Sequence, residues 1–257
     1  MSRITLGVEY DGAGFCGWQI QQPDIRTVQG VLEQALSRVA NGSVRVHCAG
    51  RTDTGVHGVG QVVHFDTEAQ RSSRSWVLGA NSNLPFDVNV NWAKLTADPF
   101  HARFSAISRA YRYVILNRQT RSSLQRKHAV WIHHPLDADC MHEAAQQLVG
   151  THDFSSYRAL GCQAHSPVRT IDHLDVRRQG DRIIIKVGAE AFLHHMVRNI
   201  AGVLMAIGRG DQDVNWAYEV LQRRDRTQGG VTAPPEGLYL MHVGYPEHFE
   251  IPEPPEY

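Results

Sequence analysis

The segment Ala49-Gly-Arg-Thr-Asp-Thr-Gly-Val-His-Gly58 lies between two stretches that are typical of strands, Ser43–Cys48 and Gly58–Asp66. Its glycines allow sharp backbone turns, and its threonine hydroxyls can form local hydrogen bonds. We therefore expect the loop to hold Asp53 rigidly at the end of a strand. Arg51, two residues earlier, places a positive charge near that carboxylate. The pattern indicates a nucleophile or general base, and a carboxylate that only caps the turn is the alternative.

Around this loop, the first half of the chain alternates between strand and helix patterns. Apolar residues recur at helical spacing from Val28 to Val39, and Thr27 stands where a helix N-cap is expected. The other elements predicted in this half are a short helix at Ser73–Asn81 and strands at Ile4–Tyr10, Ser43–Cys48, Gly58–Asp66 and Val88–Trp92. The order is approximately βαββαβ.

The second half repeats this rhythm. Its predicted strands are Arg109–Leu116, a hairpin of Val168–Arg178 and Arg182–Ala189, and a last strand near Gly237–Val243. One predicted helix starts at Asp137, a second spans Phe192 to Gly208, and a short third one contains Val214, Ala217, Tyr218 and Leu221. We predict an α+β fold of two ferredoxin-like units with a joined, mainly antiparallel sheet flanked by helices. The expected domains are residues 1–104, residues 105–245 and an acidic, proline-rich tail at 246–257.

The formal net charge of zero conceals an uneven distribution. The basic residues are 23 arginines and three lysines, and arginine suits bidentate contacts to phosphate. From Pro99 to Pro135 there is no acidic residue, whereas four glutamates lie in the tail. We therefore expect a basic, RNA-binding face on a neutral protein, with a solvated surface as the alternative. Basic residues in the acid-free stretch are Arg103, Arg109, Arg112, Arg118, Arg121, Arg126 and Lys127. Of these, we expect Arg103, Arg109 and Arg112 to bind RNA.

Other features of the composition exclude several classes. The four cysteines are far apart and form no CxxC pair, and no apolar run approaches the roughly 20 residues of a membrane span. We expect a cytoplasmic protein without membrane contact. No Walker-type motif occurs, and we expect no nucleotide cofactor. We also expect no metal, because the adjacent pairs His133-His134 and His194-His195 point their side chains apart.

The tripeptide Asp53-Thr-Gly55 also occurs in aspartic proteases, which makes such a hydrolase a second alternative. Those enzymes need two such carboxylates that share one proton. This chain has a single Asp-Thr-Gly, and Arg51-Thr52 precedes it. The sequence therefore argues against a protease.

Further motifs accompany Gly50-Arg-Thr-Asp-Thr-Gly-Val-His57 in a fixed order along the chain. They are Tyr10-Asp-Gly12, Phe15-Cys-Gly-Trp18, Phe100-His-Ala-Arg103, Arg109-Ala-Tyr-Arg-Tyr113, Gly150-Thr-His-Asp-Phe154, Phe192-Leu-His-His-Met-Val-Arg-Asn199 and Ala233-Pro-Pro-Glu-Gly-Leu-Tyr-Leu240. Together they resemble the tRNA pseudouridine synthase A family over nearly the whole chain. We assign no family feature to the loop Arg118–Lys127.

The resemblance implies a cofactor-free isomerase with the pseudouridine synthase fold. It would convert uridine to pseudouridine at positions 38, 39 and 40, in the anticodon stem and loop of tRNA, as a cytoplasmic homodimer. The implied catalytic residue is Asp53, the implied base-stacking residue is Tyr111, and Arg198 is the implied arginine partner near Asp53; we add Arg51 to the substrate-binding set. Attack at C6, attack at C1′ and a glycal route all stay open. A non-catalytic RNA-binding protein is the remaining alternative.

Helical geometry gives an independent expectation for Arg198. At about 100° per residue, Arg198, Gly202 and Arg209 fall opposite the apolar face of their predicted helix. We expect Gly202 to leave room for a neighbouring backbone or a ligand. A simply exposed arginine is the alternative. The apolar face comprises Phe192, Met196, Ile200, Val203 and Ile207.

Overall fold

The computed structural model describes residues 1–22, 24–96 and 99–256. The chain forms two compact units, one of Met1–Ile107 with Tyr239–Tyr257 and one of Ser108–Leu238. In chain order, the strands and α-helices are β1 (Ser2–Tyr10), α1 (Val28–Ala40), β2 (His47–Cys48), β3 (His57–Thr67), α2 (Ser73–Asn83), β4 (Val88–Thr96), β5 (Ser108–Asn117), β6 (Val130–Ile132), α3 (Ala138–Gln146), β7 (Gly150–Asp153), β8 (Val168–Gln179), β9 (Arg182–Ala189), α4 (Met196–Gly208), α5 (Trp216–Arg223) and β10 (Leu238–Gly244).

The first unit is a sheet with helices on one face. Strand β1 pairs antiparallel with β3 and β4, β2 pairs antiparallel with β3, and β10 pairs parallel with β3. The side chains of Leu6 and Phe65 project from the sheet into a core shared with Leu32 of α1 and Trp76 of α2. The Trp76 ring meets the Phe65 ring edge-on, with the centroids 5.1 Å apart. This packing holds β3, and the loop before it, in a fixed place.

Helix α1 shows why the sequence pattern predicted its start correctly. The Thr27 hydroxyl accepts a hydrogen bond from the Gly30 amide, as an N-cap does, and Asn41 ends the helix with a left-handed φ of 53°. The strand predicted at Ser43–Cys48 is wrong over most of its length, since β2 contains two residues. The amides of Val44 and Val46 bond to side chains of α1 instead of a neighbouring strand.

The second unit has a sheet in the order β5-β9-β8-β7, with every pair antiparallel, and β6 pairs parallel with β5. The predicted hairpin of β8 and β9 is confirmed, and it turns at Gly180, whose φ of 59° suits glycine. Strands β6 and β7 were not predicted, because they have only three and four residues. The predicted α+β fold, a mainly antiparallel sheet flanked by helices, is confirmed.

Helix α4 differs from its prediction in two respects. It starts at Met196, not at Phe192, because His195 has a left-handed φ of 61° that no helical turn can contain. It is also buried at Gly202, on the side opposite the predicted apolar face, while Arg198 is half-buried and Arg209 is exposed. The carbonyl of Val231 occupies the space that a Cβ at Gly202 would need. Gly202 therefore receives a neighbouring backbone, as the sequence suggested.

The predicted domain boundaries after residues 104 and 245 stay predictions. The compact units place residues from Tyr239 onward with the first unit, and the parallel pairing of β10 with β3 provides the physical reason. In the described part of the chain, no helix is both long and apolar enough to cross a membrane.

Candidate active site

The loop that carries Asp53 is fastened to β3 where it leaves β2. The Ala49 amide donates to the Val62 carbonyl at 2.8 Å. The buried side chain of Gln61 then donates to the Gly50 carbonyl at 2.6 Å, and its carbonyl oxygen accepts from the Gly50 amide at 3.3 Å. The first turn of the loop therefore has a fixed position on the sheet.

The residues on both sides of Asp53 are held by hydrogen bonds. The Thr52 hydroxyl lies 2.8 Å from the Tyr10 hydroxyl, and both side chains are buried. The Thr52 carbonyl accepts from the Trp18 amide at 3.0 Å, and the Asp53 carbonyl accepts from the Val56 amide at 3.1 Å. The Thr52 hydroxyl bond thus runs to a distant strand and not within the loop, and half-buried Asp53 gains a rigid backbone.

Two glycines of the N-terminal motifs let other chain segments lie against this loop. At Gly12, a Cβ would collide with the carbonyl of Val56. At Gly17, φ is 83° and a Cβ would lie 2.9 Å from the Thr52 carbonyl oxygen. The segments before and after these glycines therefore act as a support for the Asp53 loop, a role that the sequence analysis did not assign to them.

His57 ends the loop and is almost completely buried. Its Nδ1 accepts a hydrogen bond from the Gly12 amide at 3.1 Å, and the same atom lies 3.0 Å from a carboxylate oxygen of Asp11. Accepting from Gly12 requires an unprotonated Nδ1, so the Asp11 contact becomes an ion pair only when the ring is protonated. The ring also stacks on Tyr239 of β10, with centroids 4.6 Å apart.

Four supporting residues were missed as site residues by the sequence analysis, although each lies in a quoted motif. Their contacts join segments that are far apart in the chain, and the motifs themselves were the available signal. They are Tyr10, Asp11, His57 and Tyr239.

The two predicted basic residues of the first unit, Arg51 and Arg103, both influence the thiol of Cys48 through their positive charges. Burial raises the pKa of the Cys48 thiol to about 12, and the positive charges of Arg51 and Arg103 oppose that rise. Both arginines are exposed, and the Arg103 guanidinium lies over the Phe104 ring at 5.7 Å from its centroid. The structure therefore brings Arg51 and Arg103 to one region of the first unit, the region that precedes Asp53.

In the second unit, half-buried Tyr111 projects from β5. Its ring meets the Phe192 ring edge-on at 84°, with the centroids 5.1 Å apart. Because side chains alternate along a strand, Arg109 shares this face and Arg112 points to the other one. The Arg109 guanidinium donates to the Glu190 carbonyl at 2.8 Å. Arg109 and Arg112, both predicted to bind RNA, thus do not lie on the same face of β5.

Arg198 is anchored to the segment that precedes β10. Its Nε donates to the Ala233 carbonyl at 2.8 Å, and its own carbonyl accepts from the Ala233 amide at 3.1 Å. The Tyr113 hydroxyl donates to the next carbonyl, that of Pro234, at 2.8 Å. Burial, together with the charge of Glu236, raises the pKa of Tyr113, and the charge of Arg198 lowers it. Arg198 is therefore half-buried in a cluster of charged and polar groups, and not simply exposed as the alternative interpretation had it.

Buried Asn199, the neighbour of Arg198, fastens the same segment a second time. Its amide nitrogen donates to the Tyr157 carbonyl at 2.7 Å. Its oxygen accepts from the Thr232 hydroxyl at 2.7 Å and from Arg226 at 3.1 Å. The segment that holds Arg198 is thus also bound by Asn199, which the sequence analysis had not identified as a site residue.

The comparisons with known proteins agree with the sequence motifs. A family profile described as tRNA pseudouridine synthase matches residues 7–105 and 144–246. A protein of Methylococcus capsulatus is 60% identical over 97% of this chain and 92% of its own length. One of Alcanivorax borkumensis is 56% identical over 99% of this chain and 96% of its own length, and one of Coxiella burnetii is 53% identical over 99% and 97%.

The chain belongs to the tRNA pseudouridine synthase family, which is a family of isomerases. The three relatives carry the name tRNA pseudouridine synthase A, so the resemblance to that family is confirmed. A solved Cbf5-Nop10-Gar1 complex is also similar, at a TM-score of 0.39 and 12% identity, over 93% of this chain and 49% of that one.

Proposed function

We propose that this protein isomerises uridine to pseudouridine in tRNA, at positions 38, 39 and 40 of the anticodon stem and loop. The observation that carries the proposal is the loop of Asp53, where hydrogen bonds fix Thr52 and Val56 on either side of a half-buried carboxylate. Family membership and the name of the close relatives support the reaction and the tRNA substrate.

The reaction needs one well-placed carboxylate and no second substrate. The bond between N1 and C1′ breaks, the base turns, and a bond between C5 and C1′ forms. N1 gains a proton and C5 loses one, so the product is an isomer of the substrate. Asp53 would add to C6 of the base, add to C1′ of the ribose, or remove a proton from C2′ to give a glycal. Its rigid backbone lowers the cost of reaching any of these atoms.

Recognition of the target requires the base to leave its stack, which costs a few kcal/mol. We assign Tyr111 as the aromatic side chain that stacks on the displaced base, with the Phe192 ring packed against its edge. Arg51 and Arg198 are assigned to substrate binding, and Arg103, Arg109 and Arg112 to phosphates.

We also propose that the protein works as a homodimer in the cytoplasm, without a cofactor. A dimer would have twice the 28.8 kDa mass of the chain. Light scattering over a range of protein concentrations tests the dimer, and a constant mass of one chain would contradict it.

The decisive experiment uses unmodified tRNA transcripts and chemical labelling of pseudouridine. We expect Asp53→Asn to abolish product formation while its affinity for tRNA stays within a few-fold of the original. Asp139→Asn, which removes an exposed carboxylate in α3, is the matched control and should keep full activity.

Two outcomes would contradict the proposal. Normal turnover by Asp53→Asn would exclude Asp53 as the reacting group. Tight tRNA binding by the unaltered protein without any pseudouridine would favour the alternative, a non-catalytic RNA-binding protein.

A further inference from the structure

The loop between β5 and β6, which we call the basic loop, comprises residues 118–128. It contains four arginines or lysines and no acidic residue. Arg121, Arg126 and Lys127 are all exposed. Like charges this close in sequence repel each other, so such a loop is favoured where a polyanion lies against it.

Hydrogen bonds within the loop give it a defined shape. The indole N–H of Trp131 donates to the Arg118 carbonyl at 2.9 Å, and Nε of Arg118 donates to the Thr120 carbonyl at 2.8 Å. The Gln125 amide donates to the Ser122 hydroxyl at 3.2 Å. A preformed loop loses little conformational entropy when it binds a ligand.

The base of the loop is also fixed. The Asn117 side chain donates to the carbonyls of Ile132 and His134, at 3.0 and 2.7 Å. Its oxygen accepts from Arg178 of β8 at 2.7 Å. The residues that flank the loop on both sides are therefore joined to each other and to the sheet.

Two exposed charges of this loop, those of Arg121 and Arg126, are less compensated than those of three exposed arginines elsewhere in the second unit. Arg209, Arg223 and Arg224 each form an ion pair with a carboxylate, at 2.7 to 3.7 Å. In the basic loop, Arg118 pairs with Asp181 at 3.5 Å. Among the described residues, no carboxylate lies within ion-pair distance of Arg121 or Arg126.

We propose that the basic loop binds the phosphodiester backbone of the tRNA substrate. This inference rests on the proposed function, and it adds a contact site that is separate from Tyr111 and Arg198 in sequence. Arginines on a rigid loop are suited to bidentate contacts with phosphate oxygens. The one fully apolar side chain exposed in the loop is Leu124, at 92%, so charge outweighs apolar area. This balance favours RNA over a protein partner.

The test compares two triple variants that remove the same number of positive charges. Arg121→Gln, Arg126→Gln and Lys127→Gln are combined in one protein, and Arg209→Gln, Arg223→Gln and Arg224→Gln in the matched control. Binding of an unmodified tRNA transcript is measured at several salt concentrations, and turnover is measured at saturating tRNA. Circular dichroism and light scattering check that both variants keep the fold and mass of the unaltered protein.

We expect the basic-loop variant to bind tRNA at least about tenfold more weakly and to lose about two units of the slope of log affinity against log salt. The control should lose less than about threefold, and turnover at saturation should stay unchanged in both.

Equal losses in the two variants would overturn the inference, as would a changed oligomeric mass in the basic-loop variant, which would make the loop a protein contact. Failure of the proposed function would give a different result. The unaltered protein would then form no pseudouridine, and the tRNA affinities of the two variants would still test the role of the basic loop.

Discussion

The Asp53 loop and the surroundings of Arg198 are held in place by different means. Asp53 is fixed through its neighbours, since Thr52 and Val56 make the hydrogen bonds that set the backbone. Arg198 is fixed through its own side chain, whose Nε donates to the Ala233 carbonyl. The backbone of the loop therefore sets the position of Asp53, whereas a side-chain hydrogen bond sets that of Arg198.

Each of the two regions also contains a glycine whose lack of a Cβ leaves room for a backbone carbonyl of another segment. Gly12 admits the carbonyl of Val56, and Gly202 admits that of Val231. The two segments are therefore packed in a similar way, although Asp53 and Arg198 are held by different hydrogen bonds.

The largest effect on stability is expected on the Arg198 side. Asn199→Ala would remove three hydrogen bonds of a buried amide and leave the Tyr157 carbonyl without that partner. We expect the free energy of unfolding to fall by about 3 kcal/mol. Urea denaturation measures it, with Asn215→Ala as control, because that exposed side chain makes no capping hydrogen bond. A loss as small as the control's would mean that Asn199 does not hold the segment.

The close packing at these two glycines can be tested in both regions with the same substitution. A methyl group at Gly12 or Gly202 would displace a backbone carbonyl, so Gly12→Ala and Gly202→Ala should each cost about 2 kcal/mol of stability. The control is Gly42→Ala, since a Cβ there meets open space. Equal stability of all three variants in urea would break the parallel between the regions.

A pH effect on stability is expected from His64 in the first unit. Burial lowers the pKa of His64 from 6.5 to about 3, and the charges of His101, Arg3 and His47 act in the same direction. The unfolded chain therefore binds a proton first as pH falls, and stability should decrease between about pH 6.5 and 3. One such proton gives a slope of at most about 1.4 kcal/mol per pH unit.

The control for this effect is His64→Asn, which keeps an acceptor for the Ala102 amide that now donates to Nδ1 of His64. The slope of unfolding free energy against pH should be smaller in that variant. An unchanged slope would assign the acid sensitivity to other groups.

The smallest effect concerns the aim of Asp53. Tyr10→Phe removes the hydroxyl that lies 2.8 Å from that of Thr52. We expect a loss of about 1 kcal/mol in stability, with kcat lowered several-fold and tRNA affinity unchanged. Tyr218→Phe, on the exposed side of α5, should change neither. A fall in tRNA affinity equal to the fall in kcat would mean that Tyr10 supports binding and not the position of the carboxylate.

Local patterns were sufficient to predict some elements of this fold. The Thr27 cap of α1 and the hairpin at Gly180 depend on residues close together in the chain, and both are confirmed. β2 was predicted too long because side chains of α1 bind the amides of Val44 and Val46. The alternation of residues in a strand pattern does not indicate such side-chain hydrogen bonds.

The site was predictable to a similar extent. The Asp53 loop stands out through its glycines and flanking strands, and its rigid backbone follows from them in part. The contacts that complete it, Tyr10 with Thr52 and His57 with Tyr239, join residues 42 and 182 positions apart. Pairings at such separations depend on the tertiary fold, so only whole motifs, and not spacing, pointed to them.

The stacking of His57 on Tyr239 has a consequence for how the protein is made. A ribosome adds about 5–20 residues per second, so Tyr239 emerges roughly 10–35 s after His57. Until then, β3 lacks its parallel neighbour and the ring behind the Asp53 loop has no stacking partner. We infer that a nascent chain cannot carry a finished Asp53 loop until β10 has been made.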